Sequence, residues 1–144
     1  MATYSTEIEA AKAQDEVFEY MATFSNAREW DPGVVNGESL TPGPAAVGSV
    51  YRLGVRIAGR VVPFDYRILE LDRPRRVVLQ ATHGHIVSTD TITVAPAGSG
   101  PGSLVRYVAM LEGTGLLRLA APLIARFFNT MADRGAAGLR TTLA

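Results

Sequence analysis

Between Val50 and Met110 the chain repeats one pattern: short runs in which apolar and polar residues alternate, separated by turn-forming residues. "SVYRLGVRI" sets Tyr51, Leu53, Val55 and Ile57 on one face and Arg52 and Arg56 on the other. "VVPFDYRILEL" sets Val62, Phe64, Tyr66 and Ile68 against Asp65 and Arg67. Period two is the signature of a strand with one wet face, and connections this short imply antiparallel neighbours. The turns fall at Ala58-Gly59, "DRPRR", Gly84 and "APAGSGPGS". "VVLQATHGHIVSTDTITV" holds two strands and "LVRYVAML" the last. A sheet of this kind has an apolar face that another element of the chain must cover.

The covering element follows Gly115, where the apolar period changes from two to that of a helix. On a wheel of about 100° per residue, Ala120, Ile124, Phe127 and Met131 fall on one side. Arg118, Pro122, Arg126, Asn129, Asp133 and Arg140 fall opposite. Proline costs about 3 kcal/mol in a helix interior, so Pro122 belongs in the first turn and Leu116 to Ala121 form a lead-in turn or separate short helix. Ahead of the sheet, "ATYSTEIEA" alternates as a strand with Tyr4, Thr6 and Ile8 on one side. "AQDEVFEYM" places Val17, Phe18 and Met21 at helical spacing behind Asp15 and Glu16, carboxylates that suit a helix N-terminus. Ser25 or Asn26 is positioned to cap a second short helix, which Pro32 and Gly33 must end. The expected fold is α+β: a curved antiparallel sheet of about seven strands around a long C-terminal helix, with two short helices after the first strand. Residues 1–144 are expected to form a single domain. One helix cannot cover a curved sheet of that size, so a space is expected between them.

Composition narrows the function classes. Formal net charge is zero and Lys12 is the single lysine, which gives no electrostatic reason for a nucleic-acid partner. The absence of cysteine removes disulfides and thiolate chemistry. No stretch approaches the ~20 apolar residues of a membrane span, and "MATYSTEIEA" lacks the basic start and apolar core of a signal peptide. A cytoplasmic protein is expected, from a bacterial genome rich in G and C by its Ala, Gly and Arg content.

Four segments together carry a resemblance. "VFEYMATFSNAREWDPGV" follows the first strand, "DYRILELDRPRRVVLQ" lies in mid-sheet, "DTITVAPAGSGPGSLVRY" spans the last hairpin, and the amphipathic C-terminus ends "ADRGAAGLR". The chain resembles the START-like, helix-grip (SRPBCC) superfamily, in particular its polyketide cyclase/dehydrase-like bacterial branch, over nearly its whole length. The resemblance implies a deep, largely apolar cavity between sheet and long helix. It implies hydrophobic or lipid ligands in general terms, and cofactors and metals are usually absent in such relatives.

Within that frame the candidate residues carry competing readings. Trp30 either plugs the corner between the second short helix and the sheet or stands at the cavity wall. His83 and His85, two apart on a strand, invite a metal site, but zinc wants three or four donors and neither a cysteine nor a further histidine exists. Asp90 has the opposite parity and Gly84 suggests a bend, so no metal site is expected; either histidine remains a candidate acid/base group facing the cavity. Ile86, Ser88, Asp90, Ile92 and Val94 share a face that the isoleucines mark as inward. A carboxylate there is either desolvated, with a raised pKa suited to a general base, or paired with an Arg or placed at the wet rim. Tyr51, Tyr66 and Tyr107 fall among the apolar residues of their strands, as cavity phenols or as core. Ile124, Phe127 and Met131 are core and cavity wall at once. Arg134, at the border of the helix stripe, either snorkels at the surface or reaches an anionic ligand head.

Three functions follow. The first is a protein that binds a small hydrophobic or aromatic molecule through Trp30, Tyr51, Tyr66, Ser88, Asp90, Tyr107, Ile124, Phe127 and Met131. The second is a cofactor-independent cyclase or aromatase that folds a polyketide-like chain in the same cavity, moving protons with Asp90, His83 or His85. The third is an interaction module with a collapsed cavity, disfavoured by neutral charge and by the lack of an exposed-looking apolar run. The sequence leaves the oligomeric state open, a homodimer included.

Overall fold

The computed structural model describes residues 2–144. Its seven strands are β1 (Ala2–Ala10), β2 (Val34–Ser39), β3 (Val50–Ile57), β4 (Arg60–Asp72), β5 (Arg76–His83), β6 (Ile86–Pro96) and β7 (Ser103–Gly113). They form one antiparallel sheet in the order β1-β7-β6-β5-β4-β3-β2. The chain meanders from β2 to β7, and β1 pairs with the last strand, Ala2 opposite Leu111 and Ala10 opposite Ser103.

The alternation is realised strand by strand. Phe64, Tyr66 and Ile68 are buried while Asp65 and Arg67 face water, and on that outer face Arg52 pairs with its cross-strand neighbour Asp65 at 2.7 Å. The β3–β4 turn has both central residues in the left-handed region, Ala58 at φ 51° and Gly59 at φ 79°, the backbone a two-residue hairpin requires. At the β5–β6 turn the chain breaks at Gly84, as its position suggests.

Two local expectations need correction. β2 has no counterpart among the expected strands, because "VVNGES" offers two valines and no alternation. It is an edge strand with an irregularity between Val34 and Asn36, and Gly37 fits under the short helices, where a Cβ would stand 2.5 Å from the Ser25 carbonyl oxygen. Nor does a side chain cap the second short helix, α2 (Ala27–Trp30); Asn26 instead donates its side-chain N–H to the Tyr20 carbonyl. The first helix is α1 (Gln14–Ala22), with Val17, Phe18 and Met21 buried, and a 3₁₀ turn, Phe24–Asn26, links it to α2.

The C-terminal helix α3 (Ala121–Leu143) is preceded by a 3₁₀ segment, Gly115–Ala120, and Pro122 lies in its first turn. It packs chiefly along β1, with further contacts to α2 and β7. Tyr4 donates its hydroxyl to Asp133 and Arg140 reaches Thr6, each at 2.8 Å, so the polar edge of α3 is tied to β1. Only its later half is buried, through Gly135, Ala136 and Leu139. Leu116, Leu119 and Leu123 are 84%, 83% and 70% exposed, and Phe127 is exposed as well. This ridge contradicts the expectation that no apolar run faces solvent: the apolar arc of the segment is wider than the strip that the sheet covers. No helix is long and apolar enough to cross a membrane among the described residues.

Candidate functional site

Beneath α3, from Leu123 to Leu139, the sheet and helix leave a cavity of about 390 Å³ between them. That volume lies within the usual range for small-molecule sites. An interior collapsed beneath the helix is not what is found. Leu53, Val55 and Phe64 form part of the sheet wall, and Ile124, Phe128 and Met131 part of the helix wall. Phe24 and Trp30, from the short helices, close one side.

Trp30 is both of the things its position suggested. It is 8% exposed, packs edge-on against Tyr107 with ring centroids 5.8 Å apart, and still borders the cavity. Tyr66 is held in the same way by Phe24, edge-on at 4.9 Å. Such pairs contribute about 0.5–1.5 kcal/mol beyond their buried area and fix the rings.

The polar groups of the cavity sit together. Asp90 and Ser88 project inward from β6, as their parity predicts, with Tyr107 from β7 and Tyr66 from β4. The Tyr107 hydroxyl donates to Asp90 Oδ2 at 2.5 Å, and the hydroxyls of Tyr66 and Ser88 bond to each other at 2.8 Å. Asp90 is 6% exposed and has no arginine partner among the described residues, so both the ion-pair and the wet-rim readings fail. Its environment is the desolvated one. Burial pushes its carboxyl up to about 7, against the opposing hydrogen bond from Tyr107 and with a further upward push from Asp31. Burial also raises both phenols, Tyr66 and Tyr107, so they stay neutral donors.

Asp31 completes the set, although its sequence context marks it only as part of a turn. Its Oδ1 does accept the Gly33 backbone N–H at 2.8 Å, two residues on, as a turn-forming Asp would. The same carboxyl borders the cavity, and burial raises its pKa. The only signal in the sequence is an acid next to the sole tryptophan.

Of the remaining candidates, Ser88, Ile124, Phe127 and Met131 line the cavity. Tyr51, His83 and His85 do not. Tyr51 points to the inner face at the other end of β3, where Ser49, Arg73 and Glu19 act on its hydroxyl. His83, at the exposed end of β5, lies with its ring centroid 5.4 Å from that of Phe64. His85 lies in the following turn, beside Thr114 and Gly115. The bend at Gly84 separates the two rings. Arg134 is exposed and outside the cavity lining. The described residues include no group of three or more acidic or histidine side chains placed to hold a metal ion.

Comparison with known proteins gives a consistent picture of the fold. The family described as polyketide cyclase / dehydrase and lipid transport matches residues 1–144. A START superfamily protein of Mycobacterium smegmatis superposes with a TM-score of 0.78 at 15% identity, over 99% of this chain and 97% of that one. A Thermus thermophilus protein does so at 0.76 and 15% identity, over 98% and 96%. The di-domain aromatase/cyclase BexL, from the BE-7585A biosynthetic pathway, superposes at 0.74 and 20% identity, over 98% of this chain and 46% of its own. These likenesses place the architecture in the helix-grip fold. No curated protein matches the chain.

Proposed function

This chain belongs to the polyketide cyclase/dehydrase and lipid transport family, and from that premise we propose that it binds a small hydrophobic or aromatic molecule in the cavity under α3. One observation carries the reading: a space of about 390 Å³, walled by aliphatic and aromatic side chains, persists where a merely structural core would close. Trp30, Phe24 and Phe64 supply flat apolar surface to a planar guest, and the phenols of Tyr66 and Tyr107 orient its polar atoms.

A second reading is favoured by the polar cluster. The buried Asp90, the half-buried Asp31, two phenols and a serine converge in an otherwise apolar cavity, which a carrier of pure hydrocarbon does not need. A carboxyl poised near neutrality can take a proton from a bound ligand and return it. Held beside a folded poly-β-keto chain, Asp90 would remove a proton from the carbon between two carbonyls, with Tyr66 or Tyr107 donating to the enolate oxygen that forms. This is chemistry of the cyclase/aromatase type.

Native mass spectrometry of the freshly purified protein tests the first reading. A discrete adduct of small-molecule mass, lost on denaturation, is expected. A chain that carries nothing and takes up no neutral aromatic compound would contradict it. For the second reading, Asp90→Asn is expected to abolish turnover of a ligand so identified while its binding persists.

A further inference from the structure

The cavity has a charge character that its apolar walls conceal. Its ionisable lining consists of Asp31, Asp90 and three phenols, Tyr4, Tyr66 and Tyr107; no Arg, Lys or His borders it among the described residues. The helix side adds nothing charged, since α3 contributes Leu123, Ile124, Phe127, Phe128 and Met131, with small residues and Leu139 beyond. The charged residues of α3 nearest the lining are exposed and lie outside it: Asp133 bonds to Tyr4, Arg140 bonds to Thr6, and Arg134 bonds to neither. A carboxylate or phosphate head entering here would meet two acids and no cation.

Asp90 is also half-used. Oδ2 accepts the Tyr107 hydroxyl, and Oδ1 accepts no hydrogen bond from a side chain among the described residues. Among those residues no fully occluded side-chain oxygen lacks a partner, so Oδ1 opens onto the cavity. The surrounding wall is rich in π-systems, which attract cations and repel anions.

We propose that the cavity selects hydrophobic molecules bearing a protonated amine, whose N–H groups bond to Asp90 Oδ1 beside the rings of Trp30, Tyr66 and Tyr107, and that it rejects matched carboxylates. The proposal rests on the reading that the cavity is a ligand site, and it goes further by naming the head group. In water-poor surroundings an ammonium–carboxylate contact is strengthened, and an unpaired anion beside two acids is costly. The amine takes the place of the proton that burial otherwise keeps on Asp90, so binding of the cation and of the proton compete.

The test uses three ligands on one skeleton: 1-naphthylmethylamine, 1-naphthalenemethanol and 1-naphthoic acid, titrated calorimetrically into the wild-type protein. At pH 8 the amine is expected to bind about tenfold or more tighter than the alcohol, with the acid weakest. Because Asp90 titrates near 7, amine affinity is expected to rise about tenfold or more from pH 5 to pH 8, while that of the alcohol does not rise. Asp90→Asn is expected to remove the advantage of the amine over the alcohol; the wild-type pH series gives the same information should that variant fold poorly. An amine that binds no tighter than the alcohol or the acid overturns the head-group assignment and leaves the cavity reading standing. So does an amine affinity that is flat or falls with rising pH. If none of the three binds, the cavity reading itself fails.

Discussion

Gly138 of α3 lies against the backbone of Trp30: a Cβ built on the glycine would stand 1.9 Å from the Trp30 carbonyl oxygen. The neighbouring Gly135 lies less closely against the Asp31 carboxyl, with its built Cβ 3.3 Å from Oδ2. Two glycines one turn apart thus let α3 approach the end of α2, and this contact holds Trp30 and Asp31 at the edge of the cavity. The helix is pinned at its later half and stands off the sheet at its earlier half.

Gly138→Ala is therefore expected to cost more than about 2 kcal/mol, because the obstacle is backbone and cannot rotate away. Gly98→Ala, in open space on the β6–β7 loop, is expected to change stability by less than about 0.5 kcal/mol. Urea denaturation of both variants checks the pair. Equal stability of the two would mean that α3 does not sit as closely on α2 as described.

Asp90 makes stability depend on pH in a stated direction. Its folded carboxyl is raised to about 7 from 3.8, so between those values the folded protein keeps a proton that the unfolded chain has released. Through Asp90 alone, stability should fall as pH rises from about 4 to about 7 and level off above, a contribution of roughly 4 kcal/mol at ~1.4 kcal/mol per pH unit. Asp90→Asn keeps an acceptor for Tyr107 and removes the titration. The variant should match the wild type near pH 4 and exceed it by a few kcal/mol at pH 8. Denaturation at pH 4, 6 and 8 decides; a constant difference across the series would show that Asp90 is not desolvated.

The exposed ridge and the pinned end of α3 should respond differently to truncation. Leu116→Ser with Leu119→Ser is expected to shift stability by less than about 0.5 kcal/mol per site, since both side chains already face water. Leu139→Ala is expected to cost about 2–5 kcal/mol, because Leu139 is 1% exposed within the core. Thermal melts of the serine pair and of Leu139→Ala suffice. A large loss from the serine pair would mean that the ridge is covered in solution.

Much of this architecture is legible because period and burial coincide. The strands of the meander, from Tyr51 to Tyr107, announce an inner face at every second residue, and the inward parity of Ser88 and Asp90 follows from Ile86 and Ile92. β2 is illegible for the converse reason: an edge strand makes few demands on its side chains, and "VVNGES" carries no alternation. The surroundings of Asp90 are beyond reach, since parity fixes which way a side chain points but not whether an arginine arrives from a distant strand. His83 and His85 mislead because spacing of two implies a common face only within one strand, and the turn at Gly84 ends it. A helical wheel shows an apolar arc without its cover, and so Leu116 and Leu119 give no sign of being bare. Asp31 is hidden by its own turn chemistry, which explains the residue without requiring a cavity.

The central claim is that the space beneath α3 admits a small apolar molecule, and a neutral dye tests it most directly. Nile red is expected to bind the wild type with one saturable site, brightened and blue-shifted emission, and a change in the fluorescence of Trp30, the sole tryptophan. Ala109 borders the cavity and pairs directly with Asp90 across the β6–β7 ladder, so Ala109→Phe should fill the space and abolish that binding with the far-ultraviolet circular dichroism unchanged. Dye binding unaffected by Ala109→Phe would place the dye on the exposed leucines instead and contradict the account.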